Sequence, residues 1–141
     1  MRVYDFDGVI FNSQGNYTDD FLVINQHNKA LVATLPFIHM NDILITGRSQ
    51  TQESLVLEIL AYNNIHFCHI IFSAFTDKDY KAKNFFDKYH AWKKKEIYHW
   101  AADDAEIIDD DEQLLFKVDN GVFKCRHIDK FYPDLRTQIH D

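Results

Sequence analysis

Apolar residues in this chain come in short runs, each closed by a turn signal or an acid. Residues 2–4 (RVY) form a brief β-prone stretch that runs straight into Asp5. Residues 42–46 (DILIT) predict a second strand stopped at Gly47. Residues 65–72 are β-branched and aromatic and predict a third, and residues 105–108 predict a fourth that leads into Asp109. Between these runs the period changes. Leu55, Val56, Ile59 and Leu60 share one face of a helix predicted over 50–62, with Ser49 as its N-cap. Residues 77–89 and 92–102 predict two more helices. Residues 12–20 (NSQGNYTDD) are polar and predict a loop. Apolar positions 21, 22, 24, 31, 32 and 35 then predict a helix over 21–35, ended by Pro36. Near the end, residues 116–118 and 122–125 flank Asp119-Asn120-Gly121, which predicts a β-hairpin. The tail around Pro133 is expected to be irregular or weakly helical.

Strands alternating with helices imply an α/β domain on a mostly parallel sheet. No repeat, low-complexity tract or linker interrupts the 141 residues, so residues 1–141 read as one domain. A hydrophobic fraction of 46% with 12 Phe favours a globular chain over a disordered one. No apolar run approaches the ~20 residues of a membrane span. The first residues, MRVYDFDGVIF, carry acids where a secretory segment is apolar, so a cytoplasmic protein with no membrane partner is expected. Cys68 and Cys125 do not make a disulfide framework or a zinc site and read as ordinary reduced thiols. The eight histidines show no metal-binding spacing, and His66 and His69 fall on a predicted strand.

The net charge of −7 has a local origin. Residues 103–112 hold seven acids and no base, and without them the chain has 15 acids and 15 bases. Such a run is usually a solvated face, yet it is also what a cation site needs.

Four segments at predicted strand ends or helix starts carry candidate chemistry, at the sheet edge where ligands of α/β proteins bind. The first is Asp5-Phe6-Asp7-Gly8-Val9. Two carboxylates at i and i+2 project from a turn into one cleft, one able to attack a phosphoryl group and the other to move protons. The second is Thr46-Gly47-Arg48, whose hydroxyl and backbone N–H groups suit phosphate oxygens. The third is Trp92-Lys93-Lys94-Lys95, where a lysine can neutralise a nucleophile and a transferring phosphoryl group. Lys93 precedes Ile97 and Trp100 by four and seven positions, which puts it on the inward side of its helix. The fourth is Ile107-Ile108-Asp109-Asp110-Asp111, acids abutting an apolar strand, a hard oxygen site suited to Mg²⁺. Each segment alone also reads as a turn, a cap or a solvated helix start.

Taken in order over residues 2–115, these segments resemble the haloacid dehalogenase superfamily of phosphatases. The resemblance implies a three-layer Rossmann-like fold and a Mg²⁺-dependent phosphohydrolase working through an aspartyl phosphate. It assigns Asp5 as nucleophile, Asp7 as acid/base and donor of a backbone carbonyl to the metal, and Thr46 as phosphoryl-binding hydroxyl. Gly47 and Arg48 would bind substrate. The lysine falls on Lys93, with Lys83, Lys88, Lys94 and Lys95 as other candidates. Asp110 is the best match to the metal-binding acid, Asp109 the second, with Asp5 and Asp7 completing the set. TGR, the compact size and the 17 residues from Lys93 to Asp110 also look like the haloacid dehalogenase domains of Swiss-Army-knife RNA repair proteins. A receiver-like module phosphorylated on Asp, or a non-catalytic binding protein on the same fold, is the alternative; receivers lack DxDGV.

Members of the superfamily select substrates with an inserted cap. Only 38 residues separate Asp7 from Thr46 and 46 separate Thr46 from Lys93, too few for a cap beyond a small helical lid over 21–35. The expected substrate is a phosphoester, small or macromolecular, and the open site would suit a macromolecule, a nucleotide or a nucleic-acid end. Seven of the 15 bases fall within 78–95, but the chain has no dedicated basic surface, so a nucleic-acid partner has little support.

Overall fold

The computed structural model describes residues 1–11 and 38–128. The helix expected over 21–35, with its loop, and the tail around Pro133 lie outside the described residues.

Five strands form one sheet: β1 (Arg2–Tyr4), β2 (Ile43–Ser49), β3 (His69–Ser73), β4 (Glu106–Asp109) and β5 (Lys124–His127). Their order is β3-β2-β1-β4-β5, and every pairing is parallel. Alternation along each strand sends neighbouring side chains to opposite faces. Tyr4, Leu44 and Ile108 pack with Leu55, Val56, Ile59 and Leu60 of helix α1 (Glu53–Tyr62). Val3, Ile43, Ile45 and Ile107 pack in a second cluster with Ile97 of α3 (Phe85–Trp100) and with Leu114, Leu115 and Val118 of α4 (Glu112–Val118). Burial on both faces is what a parallel sheet requires. The chain moves outward from β2 to β3 through α1, returns past the centre through α2 (Asp77–Lys81) and α3, and moves outward the other way from β4 to β5 through α4. Opposite directions of travel place α1 and α4 in different clusters, as right-handed crossovers demand.

Several sequence expectations need correction. No C-terminal hairpin forms. Residues 112–118 are helical because Asp111 caps them, its Oδ1 accepting from Leu114 N at 3.1 Å, and because Leu114, Leu115 and Val118 share a buried face. Phe116, expected in a strand, is 85% exposed. The Asp119-Asn120-Gly121 turn does form, with Gly121 at φ 78, but it joins α4 to a parallel strand. The helices expected over 77–89 and 92–102 divide elsewhere. Ala82 adopts extended backbone and ends α2, whereas nothing between Tyr89 and Trp92 breaks α3. Lys93 therefore sits in the middle of a 16-residue helix, not at a helix start. Strand β2 runs past Gly47, with Thr46 opposite Phe72 and Ser49 opposite Ser73. Gly47 and Arg48 thus form a bulge. Ser49 caps a short 3-10 turn (Gln50–Gln52) that precedes α1. Strand β3 starts only at His69. No helix among the described residues is long and apolar enough to cross a membrane.

Candidate active site

The chain leaves β1 toward one edge of the sheet and, after β3, crosses to β4 on the other side of β1. The carboxyl ends of β1 and β4 therefore flank the crevice where strand order reverses, the place where α/β sheets bind ligands. Asp5 follows β1 directly, its backbone N–H donating to Ile108 O at 3.1 Å, and Asp109 ends β4. Beyond Asp5 the chain folds back sharply. The N–H groups of Ile10 and Phe11 both donate to Phe6 O, and Phe6, Val9, Ile10 and Phe11 are fully buried. Gly8 sits at φ 80. A Cβ there would collide with the Asp110 carboxylate, so glycine satisfies both the backbone and the clearance.

Lys93 reaches this crevice from α3. Its Nζ donates to Asp5 Oδ1 at 2.7 Å, to Asp109 Oδ2 at 2.8 Å and to Tyr89 Oη at 3.0 Å. The lysine is only 1% exposed. Burial alone would discharge it, but Asp109 and Asp5 outweigh that and hold its pKa well above the ordinary value. Asp5 is pushed well above the usual carboxylate range, first by burial and then by the charge of Asp109, with Lys93 only partly offsetting them. Asp110 is exposed as a residue, yet its carboxyl tucks against Gly8 and Asp109 and is raised to about 7 by burial and by Asp109. Oxygens of Asp5, Asp109 and Asp110 lie within 4.8 Å of one another. Three carboxylates around one ammonium are short of positive charge. A hard divalent cation with oxygen ligands fits that deficit.

The bulge in β2 turns Arg48 inward, a common use of bulges beside functional sites. Arg48 Nη2 donates to Asp7 Oδ1 at 2.7 Å and Nε to Asp7 Oδ2 at 2.9 Å, a buried bidentate pair. Nη1 also donates to Gln52 Oε1 at 3.3 Å. Thr46 is fully buried, and its Oγ1 accepts from Arg48 N at 3.0 Å, bracing the bulge. The Gly47 carbonyl accepts from Ser73 Oγ at 2.8 Å and Tyr80 Oη at 2.7 Å.

A second set of contacts holds the acidic loop from α3. Buried His90 bonds Asp111 Oδ2 through Nε2 at 2.6 Å, while Nδ1 lies 2.8 Å from Lys117 Nζ. A lysine ammonium only donates, so Nδ1 accepts and Nε2 carries the proton given to Asp111. Asp111 N in turn donates to Asp109 Oδ1 at 3.0 Å. Burial would raise the Asp111 pKa, but the bonds from His90 and Leu114 N leave it below the ordinary value.

Of the residues expected from sequence, Asp5, Asp7, Gly47, Arg48, Asp110 and the alternative lysine Lys83 line one cavity of about 880 Å³, with Lys93 and Asp109 bonded to Asp5 or to each other. Thr46 lies beneath Gly47 and Arg48 and is not among the lining residues. Lys88 is near Asp79 at 3.9 Å and Lys94 lies over the Tyr98 ring, so of the candidate lysines Lys93 is the one that meets Asp5. The acidic run is divided in its partners: Glu106 pairs with Arg2 and Arg126, Asp109 with Lys93, and Asp111 with His90. Sequence reasoning passed over Tyr89 and His90. His90 lies three positions before Lys93 and so on the same helix face, which was the available signal. No family model, curated protein or solved structure matches the chain.

Proposed function

We propose that the protein is a phosphohydrolase of the haloacid dehalogenase type, with the three-layer form of that fold, acting through an aspartyl phosphate on Asp5. The observation that carries this reading is the Asp5–Lys93–Asp109 cluster at the ends of β1 and β4, with Asp7 and Asp110 beside it. An Asp5 oxygen attacks phosphorus and the bond to the leaving oxygen breaks, that oxygen taking a proton from Asp7. Asp7 then takes a proton from water, whose oxygen displaces Asp5 and frees phosphate. Lys93 offsets charge on Asp5 and on the phosphoryl oxygens. The bidentate bond from Arg48 holds the Asp7 carboxyl in a fixed position beside Asp5 for both proton transfers. Mg²⁺ would be held by Asp5, Asp110 and Asp109 with the Asp7 carbonyl, and when bound it neutralises phosphoryl charge.

Release of phosphate from an aryl phosphate with Mg²⁺, lost in Asp5→Asn, tests the reading. Acid-quenched protein should carry the phosphoryl group on Asp5 by mass spectrometry. No turnover above the Asp5→Asn control across a broad phosphoester panel rejects hydrolysis, and a phospho-Asp that persists for hours favours the receiver-like alternative.

A further inference from the structure

The cavity beside Asp5 and Asp7 is far larger than a phosphate group, and its lining includes the rings of Tyr80, Phe85, Phe86 and Tyr89. Phe85 stacks on Tyr89 with ring centroids 5.8 Å apart and planes at 3°. Phe86, next to it on the cavity wall, is 64% exposed. Scattered exposed apolar residues mean little, but a contiguous aromatic wall opening from a polar site is a binding feature. These rings climb one helix. Lys93 marks the phosphate end, Tyr89 stands one turn away and Phe86 about two, so the exposed ring lies roughly 10 Å along α3 from Lys93 at 1.5 Å per residue.

That offset selects among ligands. A ring bonded directly to phosphate, as in an aryl phosphate side chain, would sit against Asp7 and not reach Phe86. A ring set off by a sugar-sized spacer would reach it. Charge selects further. Five acids, Asp5, Asp7, Asp110, Asp111 and Glu112, line the cavity against two strong bases, Arg48 and Lys83, so a polyanionic strand would run past an excess of negative charge. A single phosphate at the Lys93 end would not. Gln113 also lines the cavity, and its amide can both donate and accept, as the edge of a heteroaromatic base requires.

We infer that the cavity takes a nucleoside monophosphate, phosphate at Asp5 and base stacked on Phe86; the orientation rests on the phosphohydrolase reading above. Stacking of one base on an aromatic ring supports a preference of about tenfold or more over the same sugar phosphate without a base.

The test compares adenosine 5′-monophosphate with ribose 5-phosphate on wild-type protein and on Phe86→Ala, with Mg²⁺ present. Preference is read as a ratio of kcat/KM where phosphate is released and as a ratio of Kd by calorimetry where it is not. The expected result is at least a tenfold preference for the nucleotide in wild type, falling to within about threefold of unity in Phe86→Ala and kept in Phe86→Trp. Equal handling of the two ligands by wild type overturns the inference, and so does an unchanged preference in folded Phe86→Ala. Turnover of both ligands without preference removes the nucleotide and leaves the hydrolase. Nucleotide-selective binding without turnover does the reverse.

Discussion

Arg48 and Asp7 hold each other in a place neither could occupy alone. Both are buried, and the two bonds between them are short and parallel. Breaking a buried ion pair by removing one partner costs about 3–5 kcal/mol. Arg48→Ala is therefore expected to lower unfolding stability in denaturant by roughly that amount, and the paired change Arg48→Met with Asp7→Asn to recover most of it. A loss under 1 kcal/mol in Arg48→Ala would show that water or another group reaches Asp7. Gly8 gives a different kind of test. A Cβ at this residue meets the Asp110 carboxylate, and φ 80 disfavours any side chain. Gly8→Ala should weaken Mg²⁺ binding by calorimetry at least tenfold, since it displaces a proposed ligand; intact affinity would place the ion elsewhere. Asp5, Asp7 and Asp110 were legible in the sequence because their positions after apolar runs define them. Lys93 was legible from its helical register with Ile97. The partner of Arg48 was not, because the two-residue bulge of Gly47 and Arg48 decides where its side chain points, and no local pattern announces it.

Helix α3 does more than cover the sheet. One face delivers Lys93 to Asp5 and Asp109, and one turn earlier delivers His90 to Asp111, which caps α4. The acidic loop is thus clamped at two points by one rigid element. Contacts of this kind around metal ligands are worth about 10–100-fold in metal affinity or activity. His90→Ala should therefore cost about tenfold in Mg²⁺ affinity, and His90→Gln, whose amide nitrogen can still donate to Asp111, should restore part of it. Equal loss in the two variants would mean that packing, not the hydrogen bond, is what His90 supplies. The same elements show where the sequence misleads. Strands β1, β2 and β4 are built on short apolar runs, residues 3–4, 43–45 and 107–108, which reveal them. Residues 112–118 are short, and Phe116 with Val118 mimics strand alternation; only the Asp111 cap and tertiary burial of Leu114, Leu115 and Val118 make them helical. The parallel strand β5 then follows, where local turn chemistry suggested a hairpin.

At the scale of the whole molecule, the candidate site joins the two halves of the sheet. Asp5 follows β1, Asp109 ends β4 and Asp110 comes next, so a cation between them would cross-link the place where strand order reverses. The crowded carboxylates carry a cost that such a cation would relieve. Asp110 is held to about 7 against an ordinary 3.8, by burial and by Asp109. Between those values the folded protein keeps a proton that the unfolded chain has lost. Stability of the metal-free protein should therefore fall as pH rises from about 4 to about 7. Asp110→Asn removes the share of this dependence that belongs to Asp110, while that of Asp5, also raised by burial, stays; it should raise the metal-free melting temperature at pH 8, a gain in stability at the expense of the proposed function. Mg²⁺ bound as proposed should act in the opposite sense on the wild type. At a free concentration 100 times its Kd it adds about 2.7 kcal/mol, roughly 8 °C in melting temperature for a chain of this size, and more at pH 8 than at pH 5.5, where it must displace a proton. In Asp110→Asn the shift should shrink to a degree or two. A thermal-shift series over pH and Mg²⁺ concentration on both proteins reads all of this at once. Equal Mg²⁺ shifts in the two would dissociate the ion from Asp110, and with it the link between the acidic run and the chemistry of Asp5.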